Sequence, residues 1–345
     1  MGDRPGYRGP LVAGLALLLA VVMVIAATMG FMRIPAGQVL TVILHALTGS
    51  GPQGDPVRTS IILDVRLPRI LAAALVGGSL AVCGAVFQAI LRNPLADPYT
   101  LGISSGAAFG ASLVIVLQLF GLVLPSAVSV PVFAFFGSLA TLAAVLALAS
   151  GDGRLSSTSL ILSGVIVASI LSAAIGFLKF LADEQVGMII FWLMGSLSGV
   201  SWGNIAALAP VALLGTMLCL LLGREMNIMA TGERAAATLG VQTVRVRWLL
   251  LVACSLMTSV SVAVSGIIGF VGLIVPHLLR HLLGPDNRVL VAASFLGGAL
   301  LLVLADTLTR AVLPAEVPIG VLTALIGGPV FCVIFKKRQE AGGGF

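Results

Sequence analysis

Charge is scarce in this chain: Asp, Glu, Lys and Arg make up 9% of its 345 residues, against about 25% in soluble domains. So little charge cannot coat a water-facing surface, which excludes an ordinary soluble domain. Cysteine is scarce too, with four residues at 83, 219, 254 and 332. Each sits inside a different apolar run, without a CxxC pair or a neighbouring His, so neither a disulfide framework nor a metal site is indicated. His277 and His281 stand four apart, yet no carboxylate or Cys completes a metal-ligand set with them. The phosphate-loop pattern G-x-x-x-x-G-K-[ST] occurs nowhere, which excludes nucleotide binding in that manner. Alternation over segments of about ten residues is also missing, which excludes a transmembrane β-barrel.

What is abundant is apolar sequence. Hydrophobic residues reach 59%, and runs of about 18 residues or more recur, each long enough as a helix to cross about 30 Å of hydrocarbon. Forty-one Gly residues would weaken soluble helices but let membrane helices pack backbone to backbone. Gly102, Gly106 and Gly110 fall at intervals of four and mark one such face. The fold class is therefore all-α: a polytopic membrane protein of about ten transmembrane helices, forming one domain over residues 1–345. The predicted spans are 11–31, 68–90, 99–119, 131–150, 159–179, 203–222, 246–265, 270–284, 289–306 and 318–335. The eighth is short and broken by Pro276, so it is expected to cross only in part. Met188 to Val200 reads as a short interfacial helix with Trp192 and Trp202 at headgroup level. Residues from about 338 to 345 read as a disordered tail.

Arg4 and Arg8 precede the first run, which exceeds the roughly 7–15 apolar residues of a signal peptide. It is read as a span, with the N-terminus in the cytoplasm of a bacterial cell and the chain in the inner membrane. With both ends inside, thirteen basic residues fall on cytoplasmic segments. Six (Arg33, Arg58, Arg66, Arg69, Lys179 and Arg310) fall on the opposite face, as the positive-inside rule requires. The net charge of +6 is thus spread over the ends of apolar runs and does not signal nucleic acid.

One polar island interrupts the apolar sequence, Met226 to Arg247. It holds a short Ala-rich helical pattern from Glu233 to Leu239, with Thr231 and Gly232 before it and Gly240 after it. Thr is suited to cap a helix N-terminus, and Gly to the left-handed residue that closes one. The island carries no His, Cys or paired carboxylates, so it is poorly equipped for catalysis. The charge count places it in the cytoplasm, and a helix this short needs tertiary packing or a partner's groove.

A series of motifs runs in order from about residue 60 to 335. They are RLPR (Arg66–Arg69), GGSLAVCGAVFQAILRNPLADPYTLGISSGA (Gly77–Ala107), RLSSTSLILSGV (Arg154–Val165) and WLMGSLSG (Trp192–Gly199). After the island come GIIGFVGLIVPHLLR (Gly266–Arg280), GPDNR (Gly284–Arg288), ADTLTR (Ala305–Arg310) and EVPIGVLTALIGGPVF (Glu316–Phe331). The series resembles the FecCD-type permeases of type II ATP-binding-cassette importers, which take up iron–siderophores, haem and vitamin B12. The resemblance implies a type II importer permease fold and a transporter rather than an enzyme, with no cofactor on this chain. ATP and Mg are implied on a partner ATPase subunit, one for each of two permease copies, with homodimers the commoner arrangement. A periplasmic or lipid-anchored solute-binding protein is implied to deliver the cargo.

By the same resemblance Met226–Val241 is the coupling segment, with Gly232, Glu233, Ala236, Leu239 and Gly240 on the family pattern. Many family members have Leu where this chain has Thr231. His277 and Arg280 belong to the family's PH-x-x-R pattern and are implied to support the ATPase contact. Arg66, Arg69 and Arg310 match arginines that receive glutamates of the binding protein. Read from the residues alone the alternative is that they snorkel as interface anchors, and for Arg310 that it pairs with Asp306 one turn before it. The segment 154–165, with Ser156, Ser157 and Leu160, is implied to contribute to a gate. Gln88 and Asn93 either line a pathway or bond between helices. Lys179 either pairs with Asp183 and Glu184 or meets an anionic cargo.

Overall fold

The computed structural model describes residues 8–30, 32–49, 55–152, 155–311 and 316–340. Among them it is helical throughout, with no strand. The helices are α1 (Arg8–Thr28), α2 (Ala36–Thr48), α3 (Pro56–Ser60), α4 (Leu67–Ile90), α5 (Ile103–Leu119) and α6 (Ser126–Ala149). Then come α7 (Ser157–Ala182), α8 (Val186–Leu193), α9 (Trp202–Leu221), α10 (Gly223–Ala230) and α11 (Glu233–Thr238). The last four are α12 (Thr243–Ser265), α13 (Val271–Leu283), α14 (Asn287–Ala311) and α15 (Ile319–Glu340). Every expected span has become a helix, and seven helical stretches are long and apolar enough to cross a membrane.

Four differences from the sequence reading have local causes. The apolar stretch of α2 is broken by Gln38, Thr41 and His45, and its 13 residues reach only about 20 Å as a helix, so no span was signalled there. Between α3 and α4 the chain passes through a π-helical turn, Ile61–Arg66. Pro68 stands one residue beyond Leu67, at the start of α4, and has no N–H to return to the residue four back, and a widened turn accommodates that missing bond. The interfacial helix stops at Leu193 rather than continuing to Val200, because Gly195 (φ +71) and Gly199 (φ +76) turn the chain back. Of the expected disordered tail from about 338, the described part is helical, since α15 runs through Glu340, and 341–345 lie outside the described residues.

The molecule is built around α4. Nearly nine-tenths of its apolar window is buried, against 17% for α1, and it packs on α14, α13, α12 and α9. Small residues make that centrality sterically feasible. A Cβ on Gly84 would stand 1.7 Å from the Gly272 carbonyl oxygen, and one on Gly77 would stand 2.2 Å from that of Gly298. Gly106 and Gly110 bring α5 equally close to Gly137 and Phe133 of α6. Gly102, the third of the expected stripe, precedes α5 in a left-handed conformation instead.

The eighth span is short, as expected. Its 13 residues correspond to about 20 Å, two-thirds of a hydrocarbon core. The non-helical segment 266–270 ahead of it is therefore held inside protein, where irregular backbone at membrane depth is tolerated. Ile268 is buried, and its carbonyl accepts a 2.6 Å hydrogen bond from the Tyr99 hydroxyl.

Candidate docking and coupling sites

Two polar clusters stand at opposite ends of α14. At its C-terminal end lie Arg66, Arg69, Arg310, Asp306 and Glu316. Helix α1 ends nearby and leaves carbonyls with no partner of their own, an electronegative end that favours cations. Arg310 donates to the Ala26 and Met29 carbonyls, both at 2.6 Å, and Arg66 donates to those of Ala27, at 2.7 Å, and Met32. Asp306, almost wholly buried, accepts from Arg69 Nε at 2.8 Å and from Arg310 Nε at 3.2 Å. The outer nitrogen of Arg69 donates to Glu316, whose side chain is 47% exposed. Three guanidiniums and two carboxylates leave the cluster with one positive charge in excess.

The three arginines differ in what they reach. Arg66 is 5% exposed and serves the end of α1. The alternative kept open for Arg310, pairing with Asp306, is present. Arg69 is the one whose outer end reaches an exposed partner.

At the other end of α14 lies the island. Helix α11 forms there, but Thr231 does not cap it. The Thr231 hydroxyl donates back to the Ile228 carbonyl at 2.8 Å and closes α10, and Gly232 (φ +124) stands at the N-cap position. Gly240 does close the helix as expected, at φ +82, with its N–H on the Ala237 carbonyl. Glu233 opens the helix, and its side chain lies outside the described residues. Ala236 is fully buried and pins α11 down, while Arg234, Ala235, Ala237 and Thr238 are exposed and Leu239 is 67% exposed. An anchored helix with an open outer face is suited to lie in a partner's groove.

Asn227 of α10 ties the island to the start of α14. Its amide donates to Asp286 Oδ1 at 2.7 Å, and its oxygen accepts from the Asn287 backbone N–H at 2.8 Å and side-chain amide at 2.9 Å. Arg288 donates to Asp286, and that contact first, then the Asn227 bond, holds the carboxyl down at about 2. No sequence motif singled out Asn227, because its partners are some 60 residues away.

The remaining expected residues, Lys179 at the far end of α7 excepted, are distributed around this end. Gln88 is buried and donates to the Leu273 carbonyl at 3.2 Å while accepting from Arg280 at 3.4 Å, so it bonds between helices α4 and α13. Asn93 accepts from the Leu95 N–H within its own turn. Ser156 caps α7 by accepting from the Ser159 N–H, Ser157 lies 3.5 Å from the Ile90 carbonyl, and Leu160 is fully buried. Ser156 and Ser157 share a pocket of about 80 Å³ with Arg92, Thr243 and Arg247. Arg154 lies outside the described residues. His277 and His281 face each other with 3.3 Å between ring nitrogens. Among the described residues Lys179 forms no ion pair with Asp183 or Glu184.

Two features were not anticipated. Cys83, Cys219 and Cys254, from three separate runs, converge. Cys219 and Cys254 have their sulfurs 3.9 Å apart, and Cys83 Sγ lies 3.3 Å from the Cys254 carbonyl. An apolar groove of about 510 Å³ lies where the end of α8, the 266–270 segment and α15 meet. It is lined by residues including Met194, Ile267 and Leu325. Gly320 allows the meeting, since a Cβ there would stand within 2.5 Å of the Met194 and Ile267 carbonyl oxygens.

A bundle of apolar helices with irregular turns buried inside it, and a polar cluster at each end of one helix, defines a multi-pass membrane protein of the permease class. The chain belongs to the FecCD transport family, whose family model matches residues 18–337. It is 43% identical to the cobalamin import permease BtuC of Halobacterium salinarum, over 83% of this chain and 76% of that protein. It is 42% identical to the hemin transport permease HmuU of Yersinia pestis, over 82% of this chain and 85% of that one. With the molybdate import permease MolB of Haemophilus influenzae it shares 36% identity, over 98% of this chain and 99% of the relative. A solved structure described as an inward-facing conformation of a metal-chelate type ABC transporter matches with a TM-score of 0.82 and 36% identity. That match covers 95% of this chain and 99% of that one.

Proposed function

We propose that this chain is the membrane-spanning subunit of an ATP-binding-cassette importer. Two copies form the pathway and move a metal chelate inward by alternating access. A separate ATPase subunit sits against the island, and a solute-binding protein delivers cargo to the arginine end. The observation that carries the proposal is the pairing of the two ends on one helix. The anchored, outward-facing α11 offers a partner a docking surface but no chemistry, and the chain has no phosphate loop of its own. Energy for transport has to enter through another subunit.

Charge favours the assignment of the opposite end. An excess positive cluster beside an exposed rim steers and orients an acidic partner more than it raises affinity. The apolar lining of the groove favours a bulky chelate, of the class named for the cobalamin and hemin relatives, over a bare oxyanion such as molybdate. The groove opens on the exposed side of α15, where Leu325 is 68% exposed, and a second copy on that side would enclose it.

Co-purification is the test. The tagged chain, extracted in mild detergent from its own host, should bring with it an ATPase subunit carrying a phosphate loop, in about equal number. Recovery of a stable complex that lacks any such subunit would contradict the proposal.

A further inference from the structure

We propose that Glu316 is an internal stand-in for the docking partner's carboxylate, occupying the outer nitrogen of Arg69 until the partner replaces it. This rests on the reading of the arginine end as the binding-protein site.

The two carboxylates on Arg69 differ in the way such an exchange requires. Asp306 is fixed by Arg69 and Arg310 together and its side chain is 2% exposed, so moving it would strand buried guanidinium charge. Glu316 accepts from Nη2, the nitrogen next to Nε on the same guanidinium, and about half of its side chain meets solvent. An ion pair with so exposed a partner is screened and contributes little, so it is the pair that can open. Glu316 also lies outside the helices, after the end of α14 and just before α15, where its withdrawal breaks no helical hydrogen bond.

The guanidinium is meanwhile kept in place. Asp306 holds Nε at 2.8 Å, so the outer nitrogen keeps its direction whether Glu316 or an incoming carboxylate is on it. An incoming Asp or Glu would make the charge-assisted bond that Glu316 gives up. Docking then becomes an exchange of one carboxylate for another on a preorganised arginine. Its apparent affinity is lowered by the fraction of time that Glu316 occupies the site.

The test uses the full permease–ATPase complex in lipid nanodiscs, with the binding protein of the same transporter as the probe and its dissociation constant as the readout. Glu316→Gln should tighten docking several-fold and leave the thermal midpoint unchanged. Glu316→Ala serves as a second variant without an amide that could rebond Arg69. Arg69→Ala should weaken docking by ten-fold or more. If both Glu316 variants leave docking unchanged or weaken it while Arg69→Ala weakens it, the stand-in role is overturned and the docking reading stands. If Arg69→Ala changes nothing, the docking reading fails and the stand-in role fails with it.

Discussion

Asp306 sits almost wholly buried between two guanidiniums contributed by α4 and by its own helix. Removing one partner from a buried ion cluster leaves charge without compensation and typically costs about 3–5 kcal/mol. Asp306→Ala should therefore lower the thermal midpoint of the detergent-solubilised protein by many degrees. Glu316→Gln, at the exposed rim, should leave it nearly unchanged. Equal effects from the two would mean that the cluster is not divided into a structural and an exchangeable half. The positions of these arginines were legible in the sequence, but their burial was not. Arg69 meets Asp306 and Glu316 across 237 and 247 residues, and Arg66 meets the end of α1 across 39 and 34. A charge at the end of an apolar run looks exposed until the carbonyls that surround it are placed.

Individual helices are where the sequence spoke most clearly, and their pairing is where it did not. Length and hydropathy specify spans almost alone, because hydrocarbon thickness imposes the length and unbonded backbone is excluded from lipid. The small-residue runs told that helices touch, but not which. Gly84 proves to face Gly272 across α4 and α13, with room for no side chain at all. Gly84→Ala should lower stability by about 1–3 kcal/mol or block folding. Gly14→Ala on α1, where a Cβ meets nothing within 4 Å, should be neutral or slightly stabilising. Thermal unfolding of the two variants side by side distinguishes close packing from a general intolerance of Ala.

The island makes a separate demand at this scale. Replacing residues 232–240 with a Gly/Ser stretch should leave membrane insertion intact and uncouple ATP hydrolysis from uptake. Asn227→Ala should uncouple in part, because it cuts the tie between α10 and the start of α14. The tie itself does not respond to pH in the physiological range. Asp286 is held below the usual carboxylate range, at about 2, so its contribution is complete above the ordinary carboxylate pKa and is lost only as pH falls through about 2. A pH-dependent loss of coupling between 6 and 8 that Asp286→Asn removes would contradict this. The glycine that closes α11 was legible from its neighbours. The true role of Thr231 was not, since a hydroxyl between two short helices is able to bond to either.

For the whole molecule, α14 is the element that joins the two ends. Its 25 residues span about 37 Å, with Asn287 in the island's network and Asp306 in the arginine cluster. A rigid helix of that length, packed along α4, would give a direct mechanical connection between the proposed docking surface at one end and the proposed ATPase contact at the other. The central claim is that transport through this chain is driven by ATP hydrolysed on a partner subunit. It is tested most directly by uptake into sealed vesicles holding the complete transporter, with cargo-loaded binding protein outside and ATP trapped within. Uptake should require the trapped ATP, fall to background when the ATPase subunit is omitted, and persist when ion gradients are collapsed. Uptake that continues without ATP or ATPase, and disappears with the ion gradient, would contradict the account.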